Sequence, residues 1–187
     1  MREQLPMNKL EFVIDDTYIR DSMENTKGFY LTEDSSLLYQ SSINGDYSIL
    51  LGGNWRFELI VDSYTGRCVK VQCFLDELKV LHKSLVLPES KLKKVFIKSG
   101  EMLCPGEGCH YYPFEDNVYW DKRKHILCIG NLDTIGESVE FTPQITMVIK
   151  NRHLVCLYLS LKNIPNINFS NISSTKRTFC LHRGRLA

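Results

Sequence analysis

Short runs of alternating or continuous apolar residues, separated by turn-forming residues, recur along most of the chain. The first is Leu10 to Ile14, and similar runs crowd the regions 36–74 and 118–161. Parallel strands need long crossovers, usually helices, whereas closely spaced strands joined by short turns form antiparallel hairpins. The pattern therefore predicts a mainly β fold, an antiparallel sandwich or partly closed barrel built from hairpins.

Four pairs of runs predict these hairpins. Asn44-Gly45 tolerates positive φ at both central positions, which favours a two-residue type I′ turn between its flanking runs. The other turns are Ser63 to Gly66, Lys122 to Lys124 and Asn151 to His153. The paired runs are 36–43 with 46–51, 54–62 with 67–74, 118–121 with 125–130, and 139–150 with 154–161.

One segment departs from the strand pattern. Leu78, Leu81 and Leu85 recur every three to four residues, and Pro88 follows them. This spacing places apolar side chains on one face of a helix, and proline favours its end. We therefore expect one short helix near residues 75–87.

The domain organisation is simple. No stretch rich in proline, glycine or serine divides the 187 residues, so a single globular domain spanning 1–187 is expected. Residues 1–9 are expected to be disordered. The polar segment from 163 to 187 is expected to be loosely attached, with a terminal strand from Thr178 to His182.

Composition and charge narrow the class of protein. The chain is 43% hydrophobic and 24% charged with a net charge of +1, which is typical of a globular protein and excludes a globally basic nucleic-acid coat. No apolar run is long enough to span a membrane, and residues 1–9 lack the apolar part of a secretory signal. The seven cysteines are an odd number, which argues against a disulfide framework. We expect a cytoplasmic protein with reduced thiols and no membrane attachment.

The basic residues are unevenly distributed. Residues 141–187 contain seven basic and no acidic residues, while residues 1–50 contain nine acidic and four basic ones. An anion-binding tail would use Lys176, Arg177, Arg183 and Arg185. The alternative is that the basic end pairs with the acidic N-terminal part, and we expect no nucleic-acid partner.

A cluster of metal-ligating residue types lies between 104 and 110. Cys104, Cys109 and His110 could ligate Zn²⁺ around the intervening Pro-Gly-Glu-Gly turn. Zinc sites usually place two residues between neighbouring cysteines, whereas four separate this pair. We therefore expect structural thiols and no cofactor, with zinc as the alternative.

The segment 110–120 is rich in aromatic residues. Aromatic side chains with polar tips provide large contact areas at binding surfaces. A partner-binding role is therefore predicted for Tyr111, Tyr112, Phe114 and Tyr119. The alternative is that Tyr112, Phe114 and Trp120 fill one end of the core.

These observations favour a non-catalytic binding protein that recognises another protein through the aromatic segment 110–120. No recognised catalytic motif occurs, although isolated residues on several strands could form an active site. Gly53-Asn54-Trp55 resembles the G-x-W segment at the start of lipocalin-type barrels, which implies a second hypothesis: a small-ligand-binding barrel, or an enzyme with a pocket at the barrel mouth. A third hypothesis is an anion or nucleic-acid binder that uses the basic C-terminal region.

Overall fold

The regular secondary structure of the described part of the chain is β-strand, without a helix. A computed structural model describes residues 9–16, 27–31, 36–40, 44–52, 56–75, 78–105, 109–115 and 117–162. The strands are β1 (Leu10–Asp15), β2 (Lys27–Leu31), β3 (Ser36–Gln40), β4 (Tyr47–Leu51), β5 (Phe57–Val61), β6 (Cys68–Phe74), β7 (Val80–His82), β8 (Lys91–Leu92), β9 (Lys94–Ser99), β10 (Cys109–Tyr112), β11 (Val118–Asp121), β12 (Ile126–Gly130), β13 (Glu137–Thr142), β14 (Ile145–Lys150) and β15 (His153–Ser160).

Six strands form one sheet in the order β10-β4-β5-β6-β3-β2. Its centre is the predicted hairpin of β5 and β6, which is confirmed. The connecting turn is closed by Asp62, whose backbone N–H donates to the carbonyl of Arg67 at 2.9 Å and whose side chain accepts from the N–H of Thr65 at 2.8 Å. Strand β10 lies at one edge and is parallel to β4.

Seven strands form the second sheet in the order β7-β11-β12-β15-β14-β13-β8. The predicted hairpin of β11 and β12 is confirmed. Strands β14 and β15 also form a hairpin, and its turn residues Asn151 and Arg152 have φ values of 50° and 64°. The predicted continuous strand 139–150 is wrong: Pro143 and Gln144 turn the chain, so that β13 and β14 pair with each other.

The two sheets enclose one hydrophobic core. Trp120, Phe57 and Phe141 are among its largest fully buried side chains. The separate ribbon of β1 and β9 joins both sheets at one side, because Phe12 N–H donates to Arg152 O at 2.8 Å and Ile97 N–H donates to Gly66 O at 2.7 Å. Neither sheet closes on itself within the described residues, so the architecture is a β-sandwich and not a barrel.

An extended segment, residues 83–90, crosses the outer face of the seven-stranded sheet, and we call it the strap. It begins after β7 at one edge and reaches β8 at the opposite edge. On the way Leu85 is buried with an exposed fraction of only 2%. Its neighbours in a second apolar cluster, outside the main core, are Ile126, Cys128, Val148, Cys156 and Tyr158. The strap therefore covers part of an apolar outer face.

The helix expected near residues 75–87 is wrong. Val80–His82 is strand β7, and no helix occurs among the described residues of this region. The distance between the two sheet edges explains the difference. Six inter-strand steps of about 4.8 Å separate β7 from β8, about 29 Å in all. The nine residue steps from His82 to Lys91 cover about 30 Å when extended but only about 14 Å as a helix.

The type I′ hairpin expected at Asn44-Gly45 is also wrong. Strands β3 and β4 belong to the same sheet, but β5 and β6 lie between them. Gly45 is required for a different reason, because a Cβ atom there would lie 2.5 Å from the side chain of Ile60. The glycine thus permits close packing beside β5.

Several predicted features lie outside the described residues. These are residues 1–8 of the segment 1–9 that was predicted to be disordered, the Gly53-Asn54-Trp55 segment, and the C-terminal region 163–187 with its predicted strand and basic residues Lys176, Arg177, Arg183 and Arg185. In the part that is described, the chain forms no helix long and apolar enough to cross a bilayer.

Candidate binding surface

The candidate site lies at the edge of the seven-stranded sheet formed by β7. This short strand is parallel to β11, with Leu81 opposite Tyr119 and His82 opposite Trp120. The pairing continues into the strap, where Lys83 N–H donates to Trp120 O at 3.2 Å. Among the described strands, none pairs with the other side of β7. An edge strand of this kind presents backbone groups that can pair with an incoming strand.

Five cationic or ionisable basic side chains surround the end of this edge. All are exposed, and we call them the basic edge: His82, Lys83, Lys122, Arg123 and Lys124. With Ser84, Trp120 and Asp121 they line an open cleft of about 410 Å³. The five come from two segments of the chain, β7 with the strap and the β11–β12 turn, which the parallel pairing of β7 with β11 brings together.

Asp121 holds these two segments in place. Its Oδ1 accepts the backbone N–H groups of Arg123 and Lys124, each at 3.0 Å, and its Oδ2 accepts the N–H of Leu85 at 2.8 Å. The hydrogen bond from Leu85 and then that from Lys124 hold the pKa of this carboxyl below its usual value of 3.8. The carboxylate thus fixes the β11–β12 turn and the start of the strap as one unit.

Only some of the basic side chains of the basic edge bind other groups of the protein. Lys124 donates from Nζ to the carbonyl of Leu85 at 2.5 Å. In the described part of the chain, neither Lys122 nor Arg123 forms a salt bridge with a carboxylate. Closely spaced cations raise the local positive potential and favour an anionic ligand.

Apolar and aromatic side chains adjoin the basic edge. Leu81 is 50% exposed, and the strap exposes Val86 and Leu87 as well. The ring of Tyr119 lies beside Lys83, whose Nζ is 5.5 Å from the ring centroid. Burial, more than any neighbouring charge, raises the pKa of Tyr119, so its hydroxyl stays protonated at neutral pH. The surface therefore combines a free strand edge, apolar contacts and positive charge.

A second open cleft, of about 400 Å³, lies beside β1 and the β14–β15 turn and has a different charge pattern. Lys93 donates to Asp16 at 2.6 Å and to Glu137 at 3.0 Å. Arg152 pairs with Glu11 at 3.1 Å. Because charges of both signs already pair with each other here, this cleft does not favour a charged ligand.

The structure separates the aromatic residues that were predicted to bind a partner. Tyr119 belongs to the candidate surface. Tyr111 lies on β10, at the edge of the other sheet, and is 53% exposed. Tyr112 is buried with an exposed fraction of 5%, and Phe114 packs against the core. The segment 110–120 therefore connects two surfaces and does not form one aromatic patch.

The predicted zinc ligands are described only in part. Cys104 is half-buried, and its thiol lies 3.9 Å from the carbonyl of Met102. The side chains of Cys109 and His110 lie outside the described residues. Within the described ones, no group of three or more histidine, cysteine, aspartate or glutamate side chains could hold a metal ion.

Sequence reasoning missed the basic edge. Lys122-Arg123-Lys124 was interpreted only as a turn, although three consecutive basic residues on a hairpin turn could have indicated an anion-binding loop. Comparison with known proteins gives no further guidance, since no protein family and no curated protein matches this sequence.

Proposed function

We propose that this protein is a non-catalytic binding protein that captures an extended, acidic segment of a partner protein along β7 and the basic edge. The observation that carries the proposal is the position of exposed cations without carboxylate partners, among the described residues, at the end of a free sheet edge. Strand addition at a sheet edge is a common way for proteins to bind peptides.

Each part of the surface has a separate task in this interaction. The backbone of β7 offers hydrogen bonds to an extended segment, independent of its sequence. Leu81, which is half exposed on β7, offers an apolar contact to a side chain of that segment, and Tyr119 lies beside it on the next strand. Lys122 and Arg123 select acidic side chains through charge complementarity.

A labelled peptide of alternating valine and glutamate tests the proposal, with the corresponding valine–lysine peptide as the control ligand. Fluorescence anisotropy at low salt should show tighter binding of the acidic peptide. Raising the ionic strength should weaken that binding, because the Debye length falls to about 8 Å at 0.15 M. Equal affinity for the two peptides would contradict the proposal.

Charge reversal tests the location of the surface. Lys122→Glu with Arg123→Glu should weaken binding on the order of tenfold or more, since each exposed charge pair contributes about 0.2–1 kcal/mol and reversal turns attraction into repulsion. The matched control reverses Lys91 and Lys98, which are exposed on β8 and β9. Equal losses of affinity in the two double variants would show that only net charge matters, which would contradict the proposed location.

Two further ligands and variants distinguish the alternatives. Preference for single-stranded DNA over the acidic peptide would favour a nucleic-acid binder. If Tyr111→Ala lost binding of the acidic peptide while the double variant of Lys122 and Arg123 still bound it, the binding surface would lie at β10. The first result would replace the proposed ligand, and the second would replace the proposed site.

A further inference from the structure

Two cysteine side chains meet on the outer face of the seven-stranded sheet. Cys128 on β12 and Cys156 on β15 place their sulfur atoms 3.0 Å apart. Both side chains are buried, with exposed fractions of 0% and 1%. A disulfide bond has an S–S length of about 2.04 Å, so the two sulfur atoms lie only about 1 Å beyond bonding distance.

The close approach follows from the strand register. Cys128 lies opposite Tyr158 and Cys156 lies opposite Gly130, so the two cysteines are diagonal neighbours. Diagonal neighbours are usually too far apart for a disulfide. Opposite Cys156, Gly130 has a φ of 111°, and a Cβ atom there would lie 2.4 Å from Val155 O and 3.0 Å from the Cα of Cys156, so the backbone beside the cysteine pair leaves no room for a side chain at this position.

We propose that a peroxide oxidises Cys128 and Cys156 to a reversible disulfide bond with each other when the strap opens. The strap is part of the proposal because Leu85 packs in the same apolar cluster as both cysteines. Oxidant reaches the sulfur atoms only after this cover has moved. This site does not depend on the proposed acidic ligand.

The oxidation balances with hydrogen peroxide as the only co-reactant. The thiolate of one cysteine attacks a peroxide oxygen, the O–O bond breaks, and a sulfenic acid and hydroxide form. The second thiol attacks the sulfenic sulfur, so the S–S bond forms and the sulfenic oxygen leaves as water. In total, the two thiols lose two hydrogen atoms and one hydrogen peroxide is reduced to two waters. A small dithiol reduces the disulfide back to two thiols and is itself oxidised to a disulfide.

The hydrogen bond between the two sulfur atoms affects the acidity of the thiols. Either thiol can donate in this pair, and the hydrogen bond with Cys128 holds the pKa of Cys156 below its usual value of 9.0, although burial acts in the opposite direction. Burial raises the pKa of Cys128. Whichever cysteine ionises first attacks the peroxide, and the other then resolves the sulfenic acid.

The test uses the full chain, folded and treated with hydrogen peroxide. Remaining thiols are alkylated in denaturant, and peptides are mapped by mass spectrometry with and without reduction. We expect one cross-linked species that joins the peptides of Cys128 and Cys156, and its loss after dithiol treatment. Cys68 and Cys73 are equally buried and serve as internal controls that stay alkylatable. Alkylation of Cys128 and Cys156 to the same extent as these controls would overturn the proposal.

A variant of the strap tests the gating. Leu85→Ala should speed formation of the cross-link by at least about tenfold, because loss of a buried leucine weakens the closed state of the segment that it anchors. The control Val86→Ala changes a strap side chain that is 77% exposed and should leave the rate unchanged. Equal rates in the unaltered protein and Leu85→Ala would refute a role for the strap, and circular dichroism confirms that each variant is folded.

Discussion

Replacement of Tyr112 distinguishes a binding residue from a core residue. Its ring packs edge-on against Phe12, with centroids 5.1 Å apart and an interplanar angle of 79°. Its hydroxyl oxygen accepts the backbone N–H of Leu154 at 3.0 Å and lies 3.4 Å from His153 Nδ1. Tyr112 thereby links β10 of one sheet to β15 of the other and to the ribbon strand β1. We expect its loss to destabilise the whole sandwich.

The magnitude follows from these contacts. Truncation of a buried aromatic side chain to alanine costs about 3–5 kcal/mol, and the unpaired N–H of Leu154 adds about 1–3 kcal/mol. Tyr112→Ala should therefore lower the free energy of unfolding by about 4–8 kcal/mol. Tyr112→Phe keeps the ring on Phe12 but removes the acceptor, so its cost should be about 1–3 kcal/mol. Tyr111→Ala, at a side chain that is 53% exposed, should cost less than about 0.5 kcal/mol.

Urea unfolding followed by circular dichroism measures all three variants. In thermal melts, the loss predicted for Tyr112→Ala corresponds to a fall in Tm on the order of 10–30 °C, since 1 kcal/mol shifts the Tm of a domain of this size by about 2–4 °C. If the alanine variant is too unstable to purify, the phenylalanine variant still tests the hydrogen bond. If the Tyr112→Ala variant had the same Tm as the unaltered protein, the assignment of Tyr112 to the core would be refuted.

Three further predictions concern stability. The pKa of Asp121 is lowered in the folded state, so its ionised carboxylate stabilises the fold above pH 3.8, and this stabilisation is lost as the pH falls below that value. Asp121→Asn should therefore remove this part of the acid dependence of the urea midpoint. Burial raises the pKa of Tyr112 above 10.0, so the stability that its protonated hydroxyl provides is lost as the pH rises beyond that value. Tyr112→Phe should therefore make the urea midpoint less sensitive to alkaline pH. Gly130 has a φ of 111°, and Gly130→Ala should lower the free energy of unfolding in urea by about 2–5 kcal/mol. Gly45→Ala should cost less, because the atom nearest to the added Cβ belongs to a side chain and not to the backbone.

Local sequence patterns predicted the parts of the fold that depend on neighbouring residues. The β5–β6 hairpin combines two strand-like runs with a turn whose hydrogen bonds are made by Asp62, within the turn itself. The β11–β12 hairpin is equally local, because Asp121 accepts hydrogen bonds from residues two and three positions later. The fold class followed from these units.

Partners distant in sequence decided the features that were missed. Leu78, Leu81 and Leu85 have helical spacing, yet Leu78 packs in the main core, Leu81 is half exposed at a sheet edge, and Leu85 packs on the outer face. Three leucines of one helical stripe would share a face. Here the chain passes around the edge of a sheet, and no local pattern records which edges it must connect.

The candidate surface shows the same division within one residue. An aspartate before three basic residues predicts a capped turn, and two of the hydrogen bonds of Asp121 fulfil that local role. The third comes from Leu85, which is 36 positions earlier in the chain. That bond brings Lys83 of the strap beside the turn that carries Lys122. The charges were visible in the sequence, but their convergence at one sheet edge depends on a parallel strand pair that only the tertiary structure creates.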